Sequence, residues 1–306
     1  MIIRQRSTIS VPGHIEKMHT KALASPVDVV MLDLEDSVPV EAKNLARGQV
    51  IKTLTSIEVK KGMGISVRVN GTDTPYCFRD VIEVVEAAGA KIDSIVLPKA
   101  DSAGDVHFLS RLLDGIEAEL GAERQIAIDA SIESALAIEN ISEIAASPRV
   151  RSLIFGIADY SASIGARLTS ISGHGEEDAD VYPGHRWNYV MSKIVQTAKA
   201  HNLLAIDSPY GNFRDLLELG KSAKISAALG FNGKWAIHPS QIETINNVFS
   251  PTSEEIDRAT RILAAAKAAP GRGAVAIDGR MVDRATIRLA QKLMDFVESG
   301  EWRVES

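Results

Sequence analysis

The chain has 306 residues, 45% of them hydrophobic, which is enough for one large domain or two ordinary ones. Lys and Arg number 34 against 40 Asp and Glu, the net charge is −6, and no basic run or Arg/Lys stripe appears. An electrostatic grip on nucleic acid or on an anionic membrane is thereby excluded, and the expected partners are small molecules. A single cysteine, Cys77, allows no intramolecular disulfide and no thiolate cluster, and suits a reducing, cytoplasmic setting. The segment from Met1 to Ser7 lacks the apolar core of a signal peptide, and no apolar run approaches the ~18 residues of a membrane span, so a soluble, unprocessed chain is expected.

Short runs of Val, Ile and Leu recur, each closed by a polar residue or Pro and each followed by a longer stretch at helical spacing. They are Thr8 to Val11, Val29 to Leu34, Ile65 to Val69, Ile92 to Leu97, Ile126 to Ile128, Leu153 to Phe155, Leu203 to Ile206 and Lys234 to Ile237. Between the fifth and sixth runs the spacing predicts one helix, Ser134 to Ala146. Eight such alternations predict an α/β fold, a (β/α)8 TIM barrel over residues 1–250. The rival, a doubly wound sheet, usually opens on G-x-G-x-x-G, and Val11-Pro12-Gly13-His14 is not that turn.

Two features lie outside the alternation. The loop from Ser161 to Arg186, with its acidic Gly-rich stretch Gly173 to Asp180, is long enough to be expected as a lid or substrate wall. After the eighth run, residues 251–306 form a C-terminal helical extension. It comprises a helix that starts in Ser250-Pro251-Thr252-Ser253-Glu254-Glu255 and runs to about Ala269, a hinge at Pro270-Gly271-Arg272-Gly273, an apolar piece Ala274 to Ile277 and a last helix Met281 to Val297.

Barrel active sites sit at the C-terminal ends of the strands, so those ends carry the chemistry. Glu133 and Asp159 follow the fifth and sixth strands, whose βαβ connection puts both acids on one side. Each singly reads as a helix cap or a ligand; together they suit Mg²⁺, which takes few carboxylates and keeps much of its water. Asp33-Leu34-Glu35-Asp36 offers acids that either hydrogen-bond metal-bound water or serve as caps and salt bridges. Arg68, between Val67 and Val69, points into the barrel, toward either an anion or one of these acids. Lys17, Lys21 and Lys99 are either phosphate contacts or surface charges. His174 and His185 match no zinc spacing and read as loop residues, and His238 reads as a wall histidine. Cys77 has no activating neighbour in sequence, and no G-x-S-x-G elbow exists.

The strand ends together form a recognisable series: Val11-Pro12-Gly13, Leu32-Asp33-Leu34-Glu35-Asp36-Ser37-Val38, Val67-Arg68-Val69-Asn70-Gly71, Leu97-Pro98-Lys99, Ile132-Glu133-Ser134-Ala135, Phe155-Gly156-Ile157-Ala158-Asp159-Tyr160, Ile206-Asp207-Ser208-Pro209-Tyr210-Gly211 and Gly233-Lys234-Trp235-Ala236-Ile237-His238-Pro239. The series resembles the HpcH/HpaI, citrate lyase β-subunit-like barrels over almost the whole chain. The tail through Asp278-Gly279-Arg280-Met281-Val282-Asp283 resembles malyl-CoA and β-methylmalyl-CoA lyases in particular.

The resemblance implies a Mg²⁺-dependent (or Mn²⁺-dependent), reversible Claisen-type cleavage of a 3-hydroxyacyl-CoA to a small 2-oxo acid and an acyl-CoA. A malyl-CoA thioesterase and a citramalyl-CoA lyase or citrate lyase β-like protein are the alternatives. It implies that Glu133 and Asp159 hold the metal, that Arg68 meets the oxygen that becomes negative, and that Glu35, Asp36, Gly156, Ile157 and Ala158 face the substrate. Lys21 would meet the CoA phosphates, and Trp235, Ile237, His238 and Pro239 would wall the CoA channel. Asp283 would act as the proton-transfer residue in a neighbouring subunit, on a lid formed by the extension, in a trimer or hexamer. Where many relatives carry Arg-Pro after the Pro-Gly turn this chain reads His14-Ile15-Glu16-Lys17, so no phosphate-binding arginine is assigned there.

Overall fold

A computed structural model describes residues 4–167, 186–268, 274–277 and 280–299. Eight strands close into a barrel: β1 (Ser7–Pro12), β2 (Val29–Asp33), β3 (Gly64–Arg68), β4 (Ser94–Leu97), β5 (Ala127–Ile132), β6 (Val150–Phe155), β7 (Leu204–Asp207) and β8 (Gly233–Ala236). Each pairs in parallel with the next, and β8 returns to β1. That closure depends on Gly233, where a Cβ would lie 1.9 Å from the Gln5 carbonyl oxygen.

The surrounding helices are α1 (Glu16–Ala24), α2 (Lys43–Ser56), α3 (Cys77–Ala88), α4 (Ala103–Leu120), α5 (Ala135–Glu139), α6 (Ile141–Ala145), α7 (Ile157–Ser163), α8 (Asn188–Ala200), α9 (Leu216–Leu229) and α10 (Ile242–Val248). Strands such as β2, β3 and β4 are buried along their whole length, because the helices cover one face and the barrel interior the other. This two-sided burial is why they read as unbroken Val, Ile and Leu. The longest of these helices, α4, has its ends written in sequence: Ser102 and Asp105 form a capping box, and Gly121 ends it with a left-handed φ of 62°.

Inside the barrel, side chains stack in layers. A polar layer joins Ser66 to Ser94 (2.9 Å), and the Asp129 carboxylate accepts from Ser94 (2.6 Å), Ser152 (2.7 Å) and the Arg151 guanidinium (2.6 Å). Met31, Val96, Ile154, Leu204, Ile206 and Trp235 then form an apolar plug separate from the main core between strands and helices. The barrel is therefore a filled scaffold, with its reactive groups confined to one end.

Two sequence expectations change. The helix from Ser134 to Ala146 is broken into α5 and α6 at Asn140, whose side-chain amide donates to the Asp101 carbonyl (2.8 Å). The last helix does not begin at Met281. After α11 (Ser253–Ala268), strands β9 (Ala274–Ile277) and β10 (Arg280–Asp283) form an antiparallel ribbon, and α12 (Arg284–Ser299) starts only after Asp283. Asp283 accepts from the Thr286 N–H and hydroxyl, both at 2.9 Å, and so caps that helix. The extension buries Ala259, Ile262, Val282 and Ala290 in a small core of its own. The expected hinge at 270–273 lies outside the described residues, as do most of the expected lid loop, 168–185, and with it His174 and His185; Ser161 to Ser163 belong to α7.

Candidate active site at the barrel mouth

Alternation along β5 turns Asp129, Ser131 and Glu133 inward, and Glu133 emerges at the mouth, where it is 4% exposed. Its two oxygens are held separately: the Ser131 hydroxyl donates to Oε1 at 2.5 Å and the Lys99 backbone N–H to Oε2 at 3.2 Å. Gly156, which follows β6, leaves room for it, since a Cβ there would lie 2.2 Å from Glu133 Cγ. Burial pushes the Glu133 carboxyl up to about 7; the hydrogen bond from Ser131 and the charge of Arg68 oppose the rise, and Glu35 and Asp159 add to it. Asp159 lies in the first turn of α7, half-exposed, near enough to Glu133 to act on its charge. Ile157 is buried, and Ala158 is exposed beside it.

Opposite stands a buried salt-bridge cluster. Arg68 and Asp33 are register partners at the ends of β3 and β2, and the guanidinium meets Asp33 bidentately, at 2.7 and 2.6 Å. Its Nη1 lies 2.8 Å from Glu35 Oε2, and its plane lies over the Trp235 ring at 5.6 Å. Burial alone would raise the Asp33 carboxyl, but Arg68 outweighs it and holds Asp33 below the usual carboxylate range. Glu35 moves the other way, because burial exceeds the pull of Arg68 and Lys99. The Lys99 ammonium sits 2.5 Å from Glu35 Oε1 and 3.5 Å from Asp36, an exposed residue. Behind this cluster Lys43 donates to the carbonyls of Leu34 and Glu35, at 2.8 and 2.7 Å, and fixes the end of β2.

The mouth thus gathers Glu133, Asp159, Glu35, Asp36 and Arg68 as expected. Three particular pairings are added: Asp33 is the acid that takes Arg68, Ser131 donates to Glu133, and Lys99, one of the strand-end residues, reaches Glu35 and Asp36 where a phosphate contact or surface charge was expected. Trp235 is 6% exposed and lies inside the barrel over Arg68. Ile237, His238 and Pro239 are exposed at the rim; His238 pairs through Nδ1 with Ser240 (2.8 Å) and stacks on Phe213. Lys21 is exposed in the last turn of α1. Cys77 is buried, and its thiol is pushed up to about 12 by that burial, which removes it as a nucleophile.

Does this donor set fit a divalent cation? Two carboxylates, one buried and held at both oxygens, with no third His, Cys or carboxylate grouped as a cage among the described residues, suit a hydrated hard cation. The charge balance agrees, since the carboxyls of Asp33, Glu35, Asp36, Glu133 and Asp159 outnumber the cations Arg68, Lys99 and Lys43.

Comparison with known proteins places the chain. A family model described as HpcH/HpaI aldolase/citrate lyase matches residues 6–239. An L-malyl-CoA/beta-methylmalyl-CoA lyase of Cereibacter sphaeroides is 38% identical over 92% of this chain and 91% of the relative. A malyl-CoA/beta-methylmalyl-CoA/citramalyl-CoA lyase of Chloroflexus aurantiacus is 33% identical over 93% of this chain and 85% of its own length. Among solved structures, CitE of Mycobacterium tuberculosis in complex with magnesium, acetoacetate and coenzyme A superposes with a TM-score of 0.78 at 28% identity, covering 97% of this chain and 99% of that one. The barrel, its mouth and these relatives agree, and the chain belongs to the HpcH/HpaI aldolase/citrate lyase family.

Proposed function

We propose that the protein is a Mg²⁺-dependent, reversible carbon–carbon lyase. It cleaves malyl-CoA or β-methylmalyl-CoA to glyoxylate and acetyl-CoA or propionyl-CoA. The observation that carries this reading is the mouth itself: a buried, doubly held Glu133 beside Asp159, facing a fixed Arg68. Relatives of similar length that are named for this reaction support it.

Glu133 and Asp159 would hold Mg²⁺, which would supply Lewis-acid polarisation of the substrate oxygens. Arg68, locked by Asp33, presents its guanidinium to the thioester oxygen as negative charge develops there, without reorganising during the reaction. In cleavage the hydroxyl proton passes to water at the mouth, the bond between the carbinol carbon and the adjacent CH₂ or CH breaks with its electron pair moving into the thioester enolate, and the carbon released takes up a proton. We assign that proton to Asp283. Its position on the extension supports delivery by a neighbouring subunit: the extension has its own small core, and Met281 (74% exposed) and Leu289 (69% exposed) offer apolar surface for a subunit contact. The working unit is accordingly a homo-oligomer, a trimer or hexamer, in which 251–306 serve as the lid. The rim residues Ile237, His238 and Pro239, with Lys21, take the CoA portion. No helix among the described residues is long and apolar enough to cross a membrane. A single cysteine, Cys77, supports a reducing, cytoplasmic setting.

Incubation with Mg²⁺ and malyl-, β-methylmalyl- and citramalyl-CoA, with mass spectrometry of both products, tests the proposal. Glyoxylate with acetyl-CoA or propionyl-CoA is expected. Free malate with CoA in their place identifies a thioesterase and overturns it.

A further inference from the structure

Lys99 stands at the mouth in an unusual state. It follows β4 with a φ of 49°, in the left-handed region, one of few non-glycine residues there among those described. Such a backbone is strained and persists only when the surroundings fix it. Here both ends of the residue are fixed by acids. Its N–H donates to Glu133, and its ammonium reaches Glu35 and Asp36 and feels Asp159. The Lys99 side chain is also 40% exposed, so it can leave Glu35 without breaking packing.

We propose that Lys99 is a positioning residue that acts as an internal counter-cation for the acid cluster. In the cation-free protein its ammonium offsets the repulsion among Glu35, Asp36, Glu133 and Asp159 and keeps the carboxylates in place. Its charge then opposes the incoming metal ion, so binding is weaker than the acids alone would give and remains reversible. This inference rests on the metal reading of Glu133 and Asp159 but goes beyond it. A lysine serving only to shape the mouth would, when removed, loosen metal binding; a counter-cation, when removed, tightens it.

The test is Mn²⁺ binding, read by electron paramagnetic resonance of free Mn²⁺ and by calorimetry, on the full-length protein in the absence of substrate. Lys99→Met and Lys99→Gln, the second keeping a donor for Glu35, are each expected to bind Mn²⁺ at least about fivefold more tightly than wild type, as removing a nearby like charge requires. Without metal both should melt at a lower temperature than wild type, and saturating Mg²⁺ should raise their melting temperatures by more. Lys99→Arg, which keeps the charge, should stay within about twofold of wild-type affinity. If wild type binds Mn²⁺ and both neutral variants bind it equally well or less well, the counter-cation role is refuted and the metal site stands. If wild type binds no Mn²⁺, the metal reading fails and this inference fails with it.

Discussion

Replacing Glu133 with Gln should make the metal-free protein more stable while abolishing metal binding. The folded Glu133 carboxyl is pushed up to about 7, chiefly by burial, whereas the unperturbed group ionises at 4.5. Between those values the folded state holds a proton that the unfolded chain has released, so stability falls as pH rises through the window and levels off above it. At about 1.4 kcal/mol per unit, the loss by about pH 8 is on the order of 3 kcal/mol. Glutamine matches the protonated acid in shape. Its carbonyl oxygen can accept from the Lys99 N–H, and its amide can donate to Ser131 once that hydroxyl turns, so neither neighbour is orphaned. Urea unfolding in EDTA should therefore find Glu133→Gln more stable than wild type by about 3 kcal/mol near pH 8, with the difference fading near pH 5. Saturating Mg²⁺ at pH 8 should stabilise wild type and leave the variant unmoved. A stability difference independent of pH would refute the burial account of this carboxyl.

Asp33→Ala removes the bidentate partner of Arg68 and leaves a guanidinium in a site where Asp33 is fully buried, so a loss of about 3–5 kcal/mol is expected in urea unfolding, against under 1 kcal/mol if the pair is dispensable. Gly156→Ala puts a Cβ 2.2 Å from Glu133 Cγ, and calorimetry should find Mg²⁺ affinity reduced at least ~10-fold, as for loss of a residue that orients a ligand. Asp283→Asn keeps a good helix cap, so it should fold and bind Mg²⁺ normally yet turn over substrate at least ~100-fold more slowly; full activity would remove Asp283 from the mechanism.

The barrel was legible because its strands are buried on both faces and leave eight separate Val/Ile/Leu runs, each followed by helical spacing. Places where local rules compete were less legible. Ser134 to Ala146 carries continuous helical spacing, but Asn140 spends its amide on the Asp101 carbonyl and divides the helix, a choice made by a residue 39 positions away. Met281 and Val282 fit a helix and a strand equally in sequence, and their pairing with Ala276 and Val275 decided for the strand. Asp283, three residues ahead of Thr286, is the sequence signal for the true helix start, and a capping role does not conflict with a proton-transfer role.

In the site, residue types were legible and pairings were not. Glu133 and Asp159 follow from two strand ends and a βαβ connection, and alternation alone turns Arg68 inward. What Arg68 would meet depended on register: Asp33 is its cross-strand partner and takes it at both oxygens, so the alternatives of anion ligand and structural ion pair are not exclusive. A guanidinium held by a fully buried carboxylate cannot swing, and its orientation toward an incoming anion is set before the substrate arrives. Lys99 shows the limit of composition most clearly. As one of the lysines that follow a strand it is ordinary, and only the backbone conformation and the two acids it joins give it a part. A site that must gather carboxylates for a dication has to survive without it, and the chain meets that need with cations already in place: Arg68 inside the barrel, Lys43 behind β2 and Lys99 at the rim. Of the three, Lys99 has the most exposed side chain, which makes it the one able to yield when the metal enters.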